Sequence, residues 1–331
     1  MSFAAQVKKE LTQIANKPCC ERAELTALIQ HCGTLGTDSE SGGADSLHLS
    51  TENAAIARRM YTLLKPLCPQ GLEVLVQRKM RLKKNNVYVI RMRRGGHDLL
   101  HSLDLLDGDG VLLQTVGVRV KGRSCCERAY LRGAFLAAGS VNDPDANSYH
   151  LELASKSRAH ADALWELTQA HDLRAKVMER KRGFVLYMKE GEKIIEFLGF
   201  IGAHQALLRF EDVRIVKGMR NQVNRLVNCE TANLNKTILA AVRQLDNIRL
   251  LDEELGLDQL PVKLRMVAEK RLQYPEMTLH ELAQLLPDQV SKSGLNHRLR
   301  KLDEWARKVR VERGIPEPAQ DDDGDSARVY N

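Results

Sequence analysis

The chain has 331 residues, a length that accommodates two or three domains. Hydrophobic residues make up 43% of it, enough for ordinary cores. No run of about eighteen apolar residues offers a membrane span. The net charge of +7 favours an anionic partner, nucleic acid foremost, and an aromatic content of 5% disfavours a stacking platform for single strands.

Residues 1–11 read as an amphipathic helix carrying Lys8, Lys9 and Glu10, without the apolar stretch of a signal peptide. A cytoplasmic location is therefore expected, with neither a membrane nor a small-molecule substrate as partner. Cys19, Cys20, Cys32, Cys68, Cys125, Cys126 and Cys229 include no C-x-x-C pair, which excludes a zinc ribbon or a thioredoxin-like motif. Adjacent cysteines bridge each other only with strain. All seven are expected as buried or half-buried thiols in a reducing cytosol, with no metal site and no cofactor.

The front of the chain contains an internal repeat. Cys19-Cys20-Glu21-Arg22-Ala23-Glu24-Leu25 recurs 106 residues later as Cys125-Cys126-Glu127-Arg128-Ala129-Tyr130-Leu131. Each copy continues through a small-residue helix to Cys32-Gly33-Thr34-Leu35 or Ala138-Gly139-Ser140-Val141. An alternating segment follows in each, at 47–50 and 149–153, then a helical pattern at 54–64 and 158–170. Paired strand-like segments close each copy, 72–78 with 86–92 and 174–179 with 183–188. The order helix–strand–strand–helix–strand–strand thus occurs twice, which implies a pseudo-two-fold α+β domain with halves at 1–110 and 111–205.

Residues 191–215 are apolar at helical spacing and are expected to close the second copy and enter a helical linker at 206–230. From Met219 the chain reads as all helix, over 219–228, 231–251, 262–273, 279–286 and 291–311, the last four forming a domain at 231–315. Asn221, Asn224, Arg225, Asn228, Asn233 and Lys236 cluster around Cys229, either as contacts to a nucleic-acid backbone or as amides that fix linker helices. The end, 316–331, sets Glu317, Asp321, Asp322, Asp323 and Asp325 against Arg328 alone and is expected to be a disordered acidic tail.

Residues 277–310 carry the sharpest local signal. Thr278 and Glu281 have the T-x-x-E spacing of a capping box, and Leu279, Leu282, Ala283 and Leu286 give one apolar stripe. Pro287-Asp288 stops that helix early. Ser291 can cap the next, whose apolar face is Leu295, Leu299, Leu302, Trp305 and Val309. Short helix, tight turn and longer helix spell a helix-turn-helix. Opposite the stripe fall Ser293, Asn296, His297 and Arg300, donor-rich side chains suited to base edges in a major groove. Lys292, Arg298 and Lys301 flank them, where phosphates line the groove.

The segment Leu131-Arg132-Gly133-Ala134-Phe135-Leu136-Ala137-Ala138-Gly139-Ser140 resembles the signature helix of LAGLIDADG homing endonucleases. Ser291-Lys292-Ser293-Gly294-Leu295-Asn296-His297-Arg298-Leu299-Arg300-Lys301 resembles the tail motif of the WhiA family. With Ser2-Phe3 and Val7-Lys8-Lys9-Glu10-Leu11, all but the acidic end is similar to that family in its Gram-positive form. The resemblance implies a degenerate, duplicated LAGLIDADG homing-endonuclease-like domain followed by an all-α helix-turn-helix domain. It implies a sequence-specific regulator of transcription that binds double-stranded DNA, linked to cell division, chromosome segregation and sporulation. RNA polymerase or another regulator is the further partner it suggests.

One departure from the nuclease pattern bears on chemistry. Working LAGLIDADG enzymes carry an acid just before the closing glycine of each signature helix, and the two carboxylates hold the divalent metals. Here those positions are Cys32 and Ala138, neither a hard oxygen ligand, so no enzyme is expected. Asp107-Gly108-Asp109-Gly110 reads as a turn. Arg78, Lys79, Arg81, Lys83, Lys84, Arg91, Arg93 and Arg94 form a basic stretch, answered by Arg174, Lys176, Arg180, Lys181 and Arg182 in the second copy. Arg78, Lys79, Arg81, Lys83 and Lys84, with Arg225 and Lys236, are candidates for a secondary DNA contact. The alternatives are an active LAGLIDADG-type endonuclease built on Asp107 and Asp109, or a protein-interaction adaptor with weak DNA binding.

Overall fold

A computed structural model describes residues 1–38, 43–68, 71–78, 86–113, 115–117, 119–288 and 290–316. They form two compact units, Met1–Met219 and Arg220–Asn331.

The first unit opens with α1 (Phe3–Leu11), capped by the Ser2 hydroxyl, which places Phe3, Val7 and Leu11 on one buried face. The first copy then runs α2 (Pro18–Cys32), β1 (Gly33–Asp38), β2 (Gly43–Thr51), α3 (Ala54–Leu64), β3 (Glu73–Arg78), β4 (Asn86–Met92) and α4 (Gly96–Ser102). The second runs α5 (Ser124–Ala138), β5 (Gly139–Val141), β6 (Leu151–Ser155), α6 (Arg158–Ala170), β7 (Lys176–Arg180), β8 (Gly183–Met188) and α7 (Gly191–Ile201). Each copy builds a four-stranded antiparallel sheet, ordered β1-β2-β4-β3 and β5-β6-β8-β7. The duplicated topology read from the sequence is the topology of the molecule.

Glycine makes the switch from helix to strand in both copies. A Cβ on Gly33 would stand 2.4 Å from the Ile29 carbonyl oxygen, and one on Gly139 2.4 Å from the Phe135 ring. The chain therefore leaves each helix by folding tightly over its last turn, and β1 and β5 start at once.

The two signature helices pack side by side and run the same way: Cys20 meets Cys125 near their starts, and Glu24 and Ala27 meet Gly133 farther along. A Cβ at Gly133 would lie 2.5 Å from the Glu24 carbonyl oxygen and 2.9 Å from the Ala27 methyl. Around them one apolar core takes Leu28 and Ile29 from α2, Phe135 and Leu136 from α5, Leu49 and Leu153 from the sheets, and Phe197 from α7. Within it Glu24 is fully buried. Its carboxylate accepts from Arg59 at 2.7 and 3.0 Å, from Asn16 at 2.6 Å and from Arg132 at 3.5 Å.

Gly202, at φ 95°, turns the chain out of α7 into α8 (His204–Leu255). Here the sequence reading is corrected. The helices expected at 219–228 and 231–251 are one continuous helix, because nothing between them, Cys229 and Glu230 included, breaks a helix. Residues 218–239 are exposed throughout, so among the described residues the asparagine cluster around Cys229 fixes no packed neighbours; the Asn233 side chain reaches Cys229, at 3.7 Å, on its own helix. The second unit is completed by α9 (Val262–Gln273), α10 (Leu279–Gln284) and α11 (Lys292–Arg313), with a separate core around Val267, Leu282, Leu295, Leu299 and Leu302. Among the described residues no helix is long and apolar enough to cross a membrane.

The close approach at Gly133 sets an expectation. Gly133→Ala should lower stability by about 1–3 kcal/mol, because the helices must separate to admit a methyl. Gly108→Ala, with nothing within 4 Å of its added Cβ, should change stability by less than about 0.5 kcal/mol. Urea unfolding followed by Trp165 fluorescence in a Trp305→Phe background measures both.

Candidate nucleic-acid interface

The capping box forms as spaced. The Thr278 hydroxyl oxygen accepts from the Glu281 amide at 3.4 Å, and the Glu281 carboxylate accepts from the Thr278 amide at 2.9 Å. After the turn, Ser291 Oγ accepts from the Gly294 amide at 3.2 Å and starts α11. Leu295, Leu299, Leu302, Ala306 and Val309 are buried at alternating spacings of four and three, one face of the helix. The stripe passes through Ala306; Trp305, expected within it, is half-buried at its edge.

That docking turns the other face outward. Lys292, Ser293, His297, Arg300 and Lys301 are exposed, and Asn296 is half-buried one turn before Arg300. Arg298 differs from its neighbours. It is 17% exposed, and its guanidinium donates to Asp288 in the turn at 3.4 Å, so it already braces α11 against the end of the preceding helix. A search for basic residues could not see this, because Asp288 lies ten positions upstream. Farther along α11, Asn247 of α8 donates to Asp303 at 2.8 Å and accepts from Arg310 at 2.7 Å. The helix is thus held at both ends and presents its donor-rich face in between.

In the first unit the charge picture is more balanced than the sequence suggested. Arg78, at the end of β3, is exposed. Lys79, Arg81, Lys83 and Lys84 lie outside the described residues. Arg93 pairs with Glu73 at 2.7 Å and Arg91 approaches the same carboxylate at 3.8 Å, while in the second copy Arg180 pairs with Glu152 at 3.0 Å. The folded sheets supply acids that neither basic segment contains. Arg225 and Lys236 are exposed on α8.

The helix ends where nuclease acids would sit hold no carboxylate. Burial pushes the Cys32 thiol up to about 11, against the pull of Lys8 and Lys156, so it is protonated and neutral at ordinary pH. Burial likewise lowers Lys8, whose ammonium lies 5.9 Å from the centroid of the Phe135 ring. Beside Cys32, His31 is driven down to about 3 by burial, then by His160, Lys156 and Lys8, and its Nε2 is buried with no partner among the described residues. His160 is lowered to about 4 by burial and packs edge-on against His31, ring centroids 4.8 Å apart. The Tyr130 hydroxyl bonds Gln30 and sits 2.8 Å from His160 Nε2. Neutral groups and lysines thus occupy the helix ends, a setting hostile to a divalent cation. Asp107 is engaged in its own turn, accepting from the Asp109 and Val111 amides at 3.0 and 2.8 Å.

Two antiparallel sheets on a pair of glycine-hinged helices, followed by a capped helical unit, define a LAGLIDADG-like domain pair joined to a helix-turn-helix domain. Family models match each part: the WhiA N-terminal LAGLIDADG-like domain over residues 18–106, the WhiA LAGLIDADG-like domain over 127–220, and the WhiA C-terminal HTH domain over 223–306. The chain belongs to the WhiA family. It is 56% identical over 313 residues to a relative named probable cell division protein WhiA from Geobacillus sp. (strain WCH70), covering 94% of this chain and 97% of that one. A relative of the same name from Shouchella clausii (strain KSM-K16) is 55% identical over 312 residues, covering 94% and 95%. The crystal structure of full-length DUF199/WhiA from Thermatoga maritima shares the fold, with a TM-score of 0.57 at 24% identity over 93% of this chain and 99% of that one.

The two depressed histidines predict a pH dependence. Both fold as neutral rings, so below their ordinary value of 6.5 the unfolded chain takes up protons that the folded chain refuses. Stability present above pH 6.5 should therefore be lost as the pH falls toward 4, by up to about 1.4 kcal/mol per pH unit for each ring. In His31→Asn the loss between about pH 7 and pH 5 should shrink by about 1–2 kcal/mol, whatever the variant's absolute stability. An unchanged loss in urea titrations of the repeat domain would remove His31 from this explanation.

Proposed function

We propose that this protein is a sequence-specific regulator that binds double-stranded DNA through α11, acts in cell division, and catalyses no cleavage. The observation that carries the reading is the division of α11 into a docked apolar face and an outward face of Lys292, Ser293, His297, Arg300 and Lys301. A capped helix that follows a short helix and a tight turn enters a major groove by its first turns, where Arg reads guanine and Asn reads adenine. Arg300 and Asn296 are assigned to bases. Lys292 and Lys301 are assigned to phosphates, with Ser293 and His297 between, and Arg298 steadies the turn while its remaining N–H groups face the backbone. Glu304, exposed one turn beyond Arg300, limits how far the helix lies in the groove.

Support for the division role comes from relatives named probable cell division proteins. Chromosome segregation and sporulation belong to the same reading, as does regulation of transcription at the nucleoid with RNA polymerase or another regulator as the protein partner. Arg78, Arg225 and Lys236 are secondary contacts to the DNA backbone. The neutral Cys32 and Ala138 at the nuclease-acid positions favour a DNA-handling scaffold over a nuclease.

Selection from a randomised duplex library, run beside thermal melts, tests the assignment. Arg300→Ala and Asn296→Ala should each cost roughly 1–3 kcal/mol on the selected duplex, little on random DNA, and relax preference at different base pairs. Lys292→Ala and Lys301→Ala should weaken all duplexes alike and flatten the salt slope by about one ion each. Leu299→Ala, the control, should lose binding by unfolding, at about 2–5 kcal/mol. DNA incubated with the wild-type chain and magnesium should stay intact. Unchanged sequence preference in both base-reading variants would move specificity off α11.

A further inference from the structure

The four paired cysteines of the repeat, separated by more than a hundred residues in sequence, meet in space. The Sγ atoms of Cys19, Cys20, Cys125 and Cys126 all lie within 4.8 Å of one another. Cys19 and Cys20 are 3.9 Å apart, Cys125 and Cys126 are 4.0 Å apart, and the Cys20 thiol donates to the Cys125 carbonyl at 3.4 Å. The parallel course of α2 and α5 brings this about, because each helix opens on its own Cys-Cys pair and the pseudo-two-fold axis runs between them. C-x-x-C spacing is needed only by a site that one segment builds alone. Here each copy contributes half.

We propose that these four cysteines form a structural zinc site that staples the N-terminal ends of α2 and α5 together. A tetrahedral ion with Zn–S bonds of about 2.3 Å holds its sulfurs about 3.8 Å apart, close to the spacing of both adjacent pairs. Zinc binding requires little more than rotation of thiols that already face one another. Four thiolates close the coordination sphere and leave no position for water, which makes the role structural.

Two other fates of such a cluster fit less well. An iron–sulfur cluster sets its four thiolates around a core of several atoms and needs them farther apart than these. A disulfide needs sulfurs at about 2.05 Å; the adjacent pairs stand 3.9 and 4.0 Å apart and bridge only with strain.

The surroundings suit the negative charge that a zinc tetrathiolate carries. Both helices begin beside the cluster, and neither Lys17 nor Arg123 at the N-cap supplies a side-chain cap, so the partial positive charge of both helix starts lies beside the sulfurs. Arg22 and Arg123 line the adjoining cavity of about 240 Å³ with Cys19 and Cys126, beside Arg119, which pairs with Asp104 at 2.6 Å. Cys20 and Cys126 are buried, Cys19 is half-buried and Cys125 is exposed, so the ion has a way in from solvent. Binding displaces the thiol protons and is therefore favoured as the pH rises.

The test uses the full chain, purified with reductant from zinc-replete cells. Elemental analysis should find one zinc per chain. Cobalt added to metal-stripped protein should give the intense visible absorption of a tetrahedral cobalt thiolate, discharged by zinc. Cys19→Ala and Cys125→Ala, the two less buried positions, should each weaken binding by at least about tenfold, the scale that even an outer-shell partner commands. Cys229→Ala should keep the metal. Circular dichroism shows whether each variant is folded, and the cobalt titration of the wild-type chain decides the matter if one is not. Folded, reduced protein that takes up neither metal would overturn the proposal, as would full zinc in the Cys19→Ala, Cys125→Ala double variant. A metal-free chain whose four thiols prove to be disulfides would overturn it in favour of a redox role.

Discussion

The first unit depends on the contact between α2 and α5. Gly133 leaves no side chain where the α5 backbone crosses α2, and the helices approach until the Glu24 carbonyl oxygen would stand 2.5 Å from any added methyl. The buried Glu24 carboxylate then gathers Asn16 and Arg59 from its own copy and Arg132 from the other, while Arg132 also donates to the Ile201 carbonyl at 2.8 Å, where α7 ends. A buried charge with every lobe engaged adds less to stability than its Coulomb attraction suggests, yet losing one partner strands the rest. It therefore acts as a register pin, fixing which turn of α5 lies on which turn of α2. The thiol cluster at one end and the neutral histidine–cysteine ends at the other follow from that register.

A scaffold built around two parallel helices would concentrate charge where their ends converge, and acids there would collect divalent cations. This chain places a protonated thiol, a methyl and two neutral histidines at or beside those ends, with lysines in electrostatic reach. Neither of those helix ends offers a carboxylate to a divalent cation. In the second unit a small apolar core holds one helix so that its polar face points out. Separate cores let the two tasks change independently.

Much of this was legible because the physics is local. The repeat is literal in the residues, and glycines at 33 and 139 mark each helix-to-strand switch. Thr278, Glu281 and Ser291 announce their caps by spacing alone. What escaped needs three dimensions. Glu73 and Glu152 pair with arginines that only the folded sheets bring near, Asp288 claims Arg298 across a turn, and the paired cysteines meet only once the two copies pack together. The two helices expected over 219–228 and 231–251 are one, since no residue near Cys229 stops a helix.

Photo-cross-linking tests the placement of the DNA interface most directly. A benzophenone amino acid in place of His297, exposed between Ser293 and Arg300, would lie against the bases of a bound duplex. In place of Val311, 78% exposed near the far end of the same helix, it would lie beyond the groove. The expected result is a strong cross-link to the selected duplex from position 297 and little from 311. Undiminished DNA binding with no cross-link from position 297 would contradict the assignment of α11 as the reading helix.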